Sequence, residues 1–254
     1  IMDHGVDFEA DIFRILDGGK GVRILEEEKD GFGQRTWEGR AKLEQDTFEA
    51  LIDPGVKVIC GGRLGPVFEK LWSDHTGVEY SDPDRISQPD VMVVTRKGSN
   101  ISVWPADVKD HKVVTGGSAQ WEAANLATPT RATKTVKGSL KFEDWDQLAH
   151  YTRHLQNLGL AHEKLRGAII GREKLFVWAN LEEVSFGAGQ KRKSLLADYD
   201  QGFEQANKVA AEAAEADAAK HEVIPAPRAV RIPECDACPW NAVCTEELEA
   251  TAHI

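Results

Sequence analysis

The stretch PDVMVVTRKGSNISVWPADVK, residues 89–109, decides the fold. Residues 86–95 predict a strand, Lys97-Gly98-Ser99-Asn100 a tight turn, and residues 101–109 the partner strand. Folding back at that turn brings Asp90, near the start of the hairpin, towards Asp107 at its end. Two carboxylates at one sheet edge make a hard-oxygen site of the kind Mg²⁺ or Mn²⁺ prefers. Strand side chains repeat every second residue, so Lys109 shares the face of Asp107. An ammonium there can position an attacking water and stabilise the charge that builds on a phosphate. A strand-end salt bridge is the plainer reading of the same residues.

Outward from the hairpin, helical spacing of apolar residues predicts helices over 6–17, 40–53 and 65–74, the last with Pro66 just inside its start. Residues 142–158 predict an amphipathic helix with Phe142, Trp145, Leu148, Ala149, Leu155 and Leu158 on one broad face. Residues 166–172 and 174–186 predict two strands, and 195–221 a long helix. Pro225, Pro227 and Pro233 predict an extended run to the C-terminal cysteines. Residues 110–140, with Gly116-Gly117, five threonines and little apolar periodicity, read as a long basic loop carrying Arg131, Lys134 and Lys137. The expected architecture is α/β, a central mixed β-sheet flanked by helices. Its expected divisions are 1–59, a helical segment; 60–222, the core; and 223–254, a cysteine segment.

A chain of 254 residues with 41% hydrophobic content can bury one sizeable core. No apolar run approaches the roughly 20 residues of a membrane span, and no signal peptide is read, so the expectation is a cytoplasmic protein. The net charge of −11, from 42 acids against 31 bases, argues against a uniformly basic surface that embraces duplex DNA. Much of the excess lies in Glu26-Glu27-Glu28 and the Ala/Glu-rich stretch 203–222, which leaves room for a local basic groove. Cys235, Cys238 and Cys244 form a C-x2-C-x5-C run, and Cys60 lies far upstream. In a reducing compartment such a run binds metal more often than it forms disulfides, and four thiolates suit either tetrahedral zinc or an iron–sulfur cluster.

Pro89-Asp90 followed by Asp107-Val108-Lys109 resembles the P-D…(D/E)-x-K signature of the PD-(D/E)xK nuclease superfamily. Gln147 and Tyr151, four apart on one helix face, resemble the Gln-x3-Tyr element of RecB-like nucleases. Gly65-Pro-Val-Phe-Glu69 resembles the early Gly-x3-His or Gly-x3-Glu element. A lone cysteine before the core and C-x2-C-x5-C after it is similar to the iron–sulfur members, including the stand-alone CRISPR-associated exonucleases and AddB-like nuclease domains. The resemblance runs over about residues 60–244, and Asp107 stands where many of those members carry Glu.

That resemblance implies a restriction-endonuclease-like core whose N- and C-terminal segments are joined by a [4Fe–4S] cluster on Cys60, Cys235, Cys238 and Cys244, with zinc as the rival. It implies Mg²⁺ or Mn²⁺ held by Glu69, Asp90, Asp107 and the Val108 carbonyl, with His75 a rival ligand. Lys109 would activate water, and Gln147 and Tyr151 would seat the scissile phosphate. The implied activity is DNA exonuclease, on single strands or duplex ends, alongside recombination or CRISPR integration proteins. A non-catalytic DNA-binding or assembly subunit with the same fold and staple is the alternative. Trp104 and Trp121 are candidates for base stacking, Trp145 for the core and Trp240 for shielding the cluster.

Overall fold

The computed structural model describes residues 3–80, 82, 85–186 and 193–218. Its first elements are α1 (Asp3–Asp17), β1 (Val22–Ile24), α2 (Trp37–Ile52), β2 (Val58–Cys60), α3 (Pro66–Thr76), β3 (Val91–Lys97) and β4 (Asn100–Val108). They are followed by β5 (Val114–Asn125), β6 (Ala132–Leu140), α4 (Phe142–Asn157), β7 (Arg166–Ile170), β8 (Leu175–Asn180), β9 (Ser185–Phe186), β10 (Lys193–Ser194) and α5 (Leu195–Ala218). The chain divides into two compact units, Ile1–Tyr199 and Asp200–Ile254; of the second, only the continuation of α5 is described. Cys235, Cys238, Cys244 and Trp240 lie outside the described residues.

The first unit is built on a mixed eight-stranded sheet of order β1-β2-β3-β4-β7-β8-β5-β6. The β1–β2 and β4–β7 pairs are parallel and the others antiparallel. The predicted hairpin forms, closing on Lys97 paired with Asn100. Gly98 stands there at φ 64°, a first central position that suits glycine in a two-residue hairpin loop. Strand alternation divides the core between the two faces. Val58, Cys60, Val91, Val93, Ala106 and Ile170 pack with Ile12 and Leu16 of α1 on one face. Ile59, Met92, Val94 and Val103 pack on the other with Phe68 and Trp72 of α3 and Leu155 of α4. Leu195 and Leu196, at the start of α5, join Trp145 and Leu148 of α4 against β7 and β8.

Three expectations change. Residues 110–140 are not a loop: β5 and β6 pair antiparallel from Val114–Leu140 to Ala124–Ala132, and β5 docks on β8. Both strands are exposed along most of their length, so neither shows the apolar alternation that marks a half-buried strand, and β-branched Thr and Val favour the extended backbone without it. Gly116 and Gly117, at φ 55° and 74°, sit where the register shifts, so the pair that suggested a loop marks a bulge. The first hairpin strand begins at Val91 rather than near residue 86, because Pro89 has no N–H to donate to a ladder. Finally, the expected division after residue 59 falls inside β2, which pairs with β1 and β3; the N-terminal segment is part of the same sheet. Among the described residues, no helix is long and apolar enough to cross a membrane.

Candidate active site

Val91 lies opposite Ala106, so the next pair along the hairpin is Asp90 opposite Asp107. Asp90 Oδ2 accepts a 2.7 Å hydrogen bond from Val108 N–H. In an extended strand the N–H and C=O of one residue point to the same side, so the Val108 carbonyl shares the Asp90 side of β4. Asp107 is 2% exposed. Its Oδ2 is in ion-pair contact with Lys109 Nζ, yet it has no hydrogen-bond partner of good geometry.

Burial and the facing Asp107 carboxyl push the Asp90 pKa up to about 8, against the pull of the Val108 N–H. Two carboxylates this close in a dry site cannot both ionise without a counter-charge. Burial works to lower the Lys109 pKa, but Asp107 and Asp90 raise it on balance, so the side chain stays an ammonium.

Helix α4 supplies the next layer. Its Gln147 Oε1 accepts from Lys109 Nζ at 3.2 Å, and its Nε2 donates to Tyr151 Oη at 2.5 Å. Tyr151 in turn donates to the Gln88 carbonyl at 3.2 Å. His150 Nε2 lies 3.1 Å from the Ile86 carbonyl, and His154 Nδ1 lies 2.8 Å from Ser87 Oγ. Thus three consecutive residues leading to Pro89-Asp90 are tied to one helix. The Gln-x3-Tyr spacing works here as a hydrogen-bonded chain from Lys109 to the backbone ahead of Asp90.

Glu69 makes its own contacts with other groups. Its Oε1 faces His154 Nε2 at 3.2 Å and its Oε2 accepts from Asp82 N–H at 3.3 Å. Gly65, the other end of the predicted Gly-x3-Glu element, leaves room for the Glu44 carboxylate. His75 packs against Trp72 and Phe48, 5.7 Å from each ring. The third carboxylate that senses the pair is Glu9 on α1. Its pKa is raised by burial and by Asp107, and it feels Arg35 and Lys109. Glu9, Arg35, Gln88, Asp90, Gln147 and Tyr151 all line one cleft of about 480 Å³. Sequence reasoning missed Glu9 because an acidic residue on an amphipathic helix carries no local mark of a site.

Asp110 pairs with Arg172 at 2.9 Å and His111 with Asp144 at 2.7 Å. Trp145 is fully buried, as expected. Trp104 packs on His162 with ring centres 4.4 Å apart, and Trp121 Nε1 donates to the Gly138 carbonyl at 2.8 Å.

Cys60 is buried in the core, where burial and nearby carboxylates push its thiol up to about 12, towards the protonated form. Among the described residues, no group of three or more His, Cys, Asp or Glu is arranged to hold a metal ion. The Asp90–Asp107 pair does fit a cation that keeps water or substrate oxygens in its shell, as Mg²⁺ does. The pair has hard oxygens, one ammonium for two carboxyls, and one buried oxygen without a hydrogen bond of good geometry. Compared with protein-family models, curated proteins and solved structures, the chain has no match in any of the three.

Proposed function

We propose that the chain is a divalent-metal-dependent deoxyribonuclease of the PD-(D/E)xK type, with a restriction-endonuclease-like core, that hydrolyses phosphodiester bonds from DNA ends or single strands. One observation carries this reading: the register of the hairpin brings Asp90 up to Asp107, Lys109 lies against Asp107, and the two carboxyls are short of positive charge. Asp90, Asp107 and the Val108 carbonyl would hold Mg²⁺ or Mn²⁺, and Glu9, on the same cleft, would add to the negative field that draws the ion in. When bound, the ion supplies Lewis-acid polarisation of the phosphodiester and a more acidic water.

The chain's own groups do the rest. Lys109, kept as an ammonium, stabilises the charge that grows on the phosphate oxygens during in-line attack by water. Gln147 holds Lys109 in place through its 3.2 Å contact. Tyr151, whose phenol is raised by burial and by Asp107 and Asp90, stays protonated and serves as a donor. The [4Fe–4S] cluster on Cys60, Cys235, Cys238 and Cys244 belongs to the same proposal as a structural staple, and no catalytic step uses it. Recombination or CRISPR integration proteins are the partners this reading suggests.

The test is cleavage of end-labelled single strands with Mn²⁺ by the Asp107→Ala and Lys109→Ala proteins. Loss of at least about a hundredfold in rate is expected when a group stabilising the transition state is removed. Undiminished cleavage would rule out the assignment.

A further inference from the structure

The segment between β1 and α2 presents two large side chains that the core does not use. Phe32 is 91% exposed and Trp37 72% exposed. Leaving such surfaces in water is unfavourable, yet the segment around them is firmly built. Lys29 and Arg35 form an antiparallel bridge, and Asp30 N–H donates to the Gln34 carbonyl at 2.9 Å. Asp30 Oδ1 accepts from Phe32 N–H at 2.9 Å and from Gln34 N–H at 2.8 Å. Thr36 Oγ1 accepts from Gly39 N–H at 2.9 Å and caps α2. Gly39 itself lets the Glu28 carbonyl pack onto that helix where any side chain would collide.

The charge on this segment is also ordered. Glu27, whose side chain is 7% exposed, sits 3.4 Å from Arg35 Nε and 3.5 Å from Arg40 Nε. Neither Glu27 oxygen has a hydrogen-bond partner, so these are ionic contacts only. The two arginine side chains remain 60% and 48% exposed, while the carboxylate they meet is buried. Arg35 also lines the cleft that contains Asp90 and Gln147. Phe32 is three residues from Arg35 and Trp37 two, so their Cα atoms lie within about 10 Å of the Arg35 Cα.

Flat apolar faces beside an exposed guanidinium are what an unpaired nucleic-acid strand requires, with bases to stack and phosphates to pair. An intact duplex hides its base faces. We propose that Phe32, Trp37 and Arg35 form a stacking platform that seats an unpaired strand at the mouth of the cleft holding Asp90, so that single strands and frayed ends are preferred to closed duplex. This rests on the nuclease reading of that cleft and names its substrate class.

The experiment is fluorescence anisotropy of labelled single-stranded and blunt duplex DNA with the full chain carrying Asp107→Ala, in chelator so that nothing is cut. Added Phe32→Ala or Trp37→Ala should each weaken single-strand binding about tenfold and leave duplex binding unchanged. Arg35→Ala should lower the salt slope for the single strand by about 0.7. Unchanged single-strand binding, or equal losses on both DNAs, would overturn the platform. So would aromatic variants that alter self-association in sedimentation while strand binding stays the same, since that assigns the surface to a second copy. The two readings fail separately. If the parent protein cuts nothing under any divalent metal but the variants lose single-strand affinity, the nuclease reading fails and the platform stands. If cleavage depends on Asp107 while binding ignores Phe32 and Trp37, only the platform fails.

Discussion

Asp90 is the residue on which the site's electrostatics turn. Its pKa stands near 8 because burial and Asp107 both disfavour the charged form. In the unfolded chain the same carboxyl ionises near pH 4. Between those values the folded chain holds a proton that the unfolded chain has released, so stability falls as pH rises from about 4 to about 8. Asp90→Asn removes that liability. The metal-free variant is expected to be more stable than the parent at pH 8–9, by a margin on the order of a few kcal/mol, while losing cleavage. Denaturant midpoints from pH 4 to 9 check this; a parent and variant that track each other across the range would contradict it. Lys109 does not compensate, because its one charge already lies against Asp107.

Two elements owe their placement to charged or polar side chains from a neighbour. Gly65, the cap residue of α3, offers no side-chain hydrogen bond, and Glu44 of α2 does the capping instead. Its Oε2 accepts from Val67 N–H at 2.8 Å and Phe68 N–H at 3.3 Å, while Oε1 accepts from Arg63 Nε at 2.9 Å. Glu44 is 3% exposed. Glu44→Ala strands the Arg63 guanidinium and two helix-end amides, and a loss of about 3 kcal/mol is expected in chemical denaturation. Gly65→Ala should also destabilise, because its Cβ would meet the Glu44 carboxylate at 2.5 Å.

Helix α4 has the corresponding role for the segment before Asp90. His154 is fully buried, and desolvation brings its pKa down to about 4. In the unfolded chain it titrates near 6.5, so below that pH the unfolded state binds the extra proton. Stability from this group is present above pH 6.5 and is lost as pH falls towards 4. His154→Gln should flatten the acid limb of the stability curve by about 2–3 kcal/mol between pH 6.5 and 4. An acid limb that keeps its slope in the variant would remove His154 from this account.

At the scale of the whole molecule, the first unit is closed by a sheet whose edges are β1 and β6. The exposed β6 edge carries Lys134 and Lys137, charges that discourage pairing with another chain. The proposed cluster would add a covalent link between distant parts of the sequence, and such long-range closure stabilises most by restricting the unfolded chain. Protein purified without oxygen is therefore expected to be brown and to contain iron and acid-labile sulfide. Cys235→Ala should lose both and melt at a lower temperature. Colourless protein that contains zinc and no sulfide would replace the cluster with the rival metal.

The hairpin from Pro89 to Lys109 was legible in the sequence by itself. Its strand alternation and its Gly98 turn are encoded between near neighbours, and pairing then sets Asp90 against Asp107. Helix α4 was legible for the same reason, since its apolar stripe repeats within one element. The proximity of Glu9 was not. Glu69 carries the local spacing of a ligand, but the helix it rides on packs so that its oxygens meet His154 and Asp82. Glu9 carries no such signal and becomes a neighbour of Asp107 only when α1 docks on the sheet. Residues 110–140 were misread because exposed strands satisfy their backbone through pairing rather than through a buried face. Short-range pattern determined what the elements are; contacts between residues far apart in the chain decided which side chains meet, because burial and pairing act only once those elements are packed.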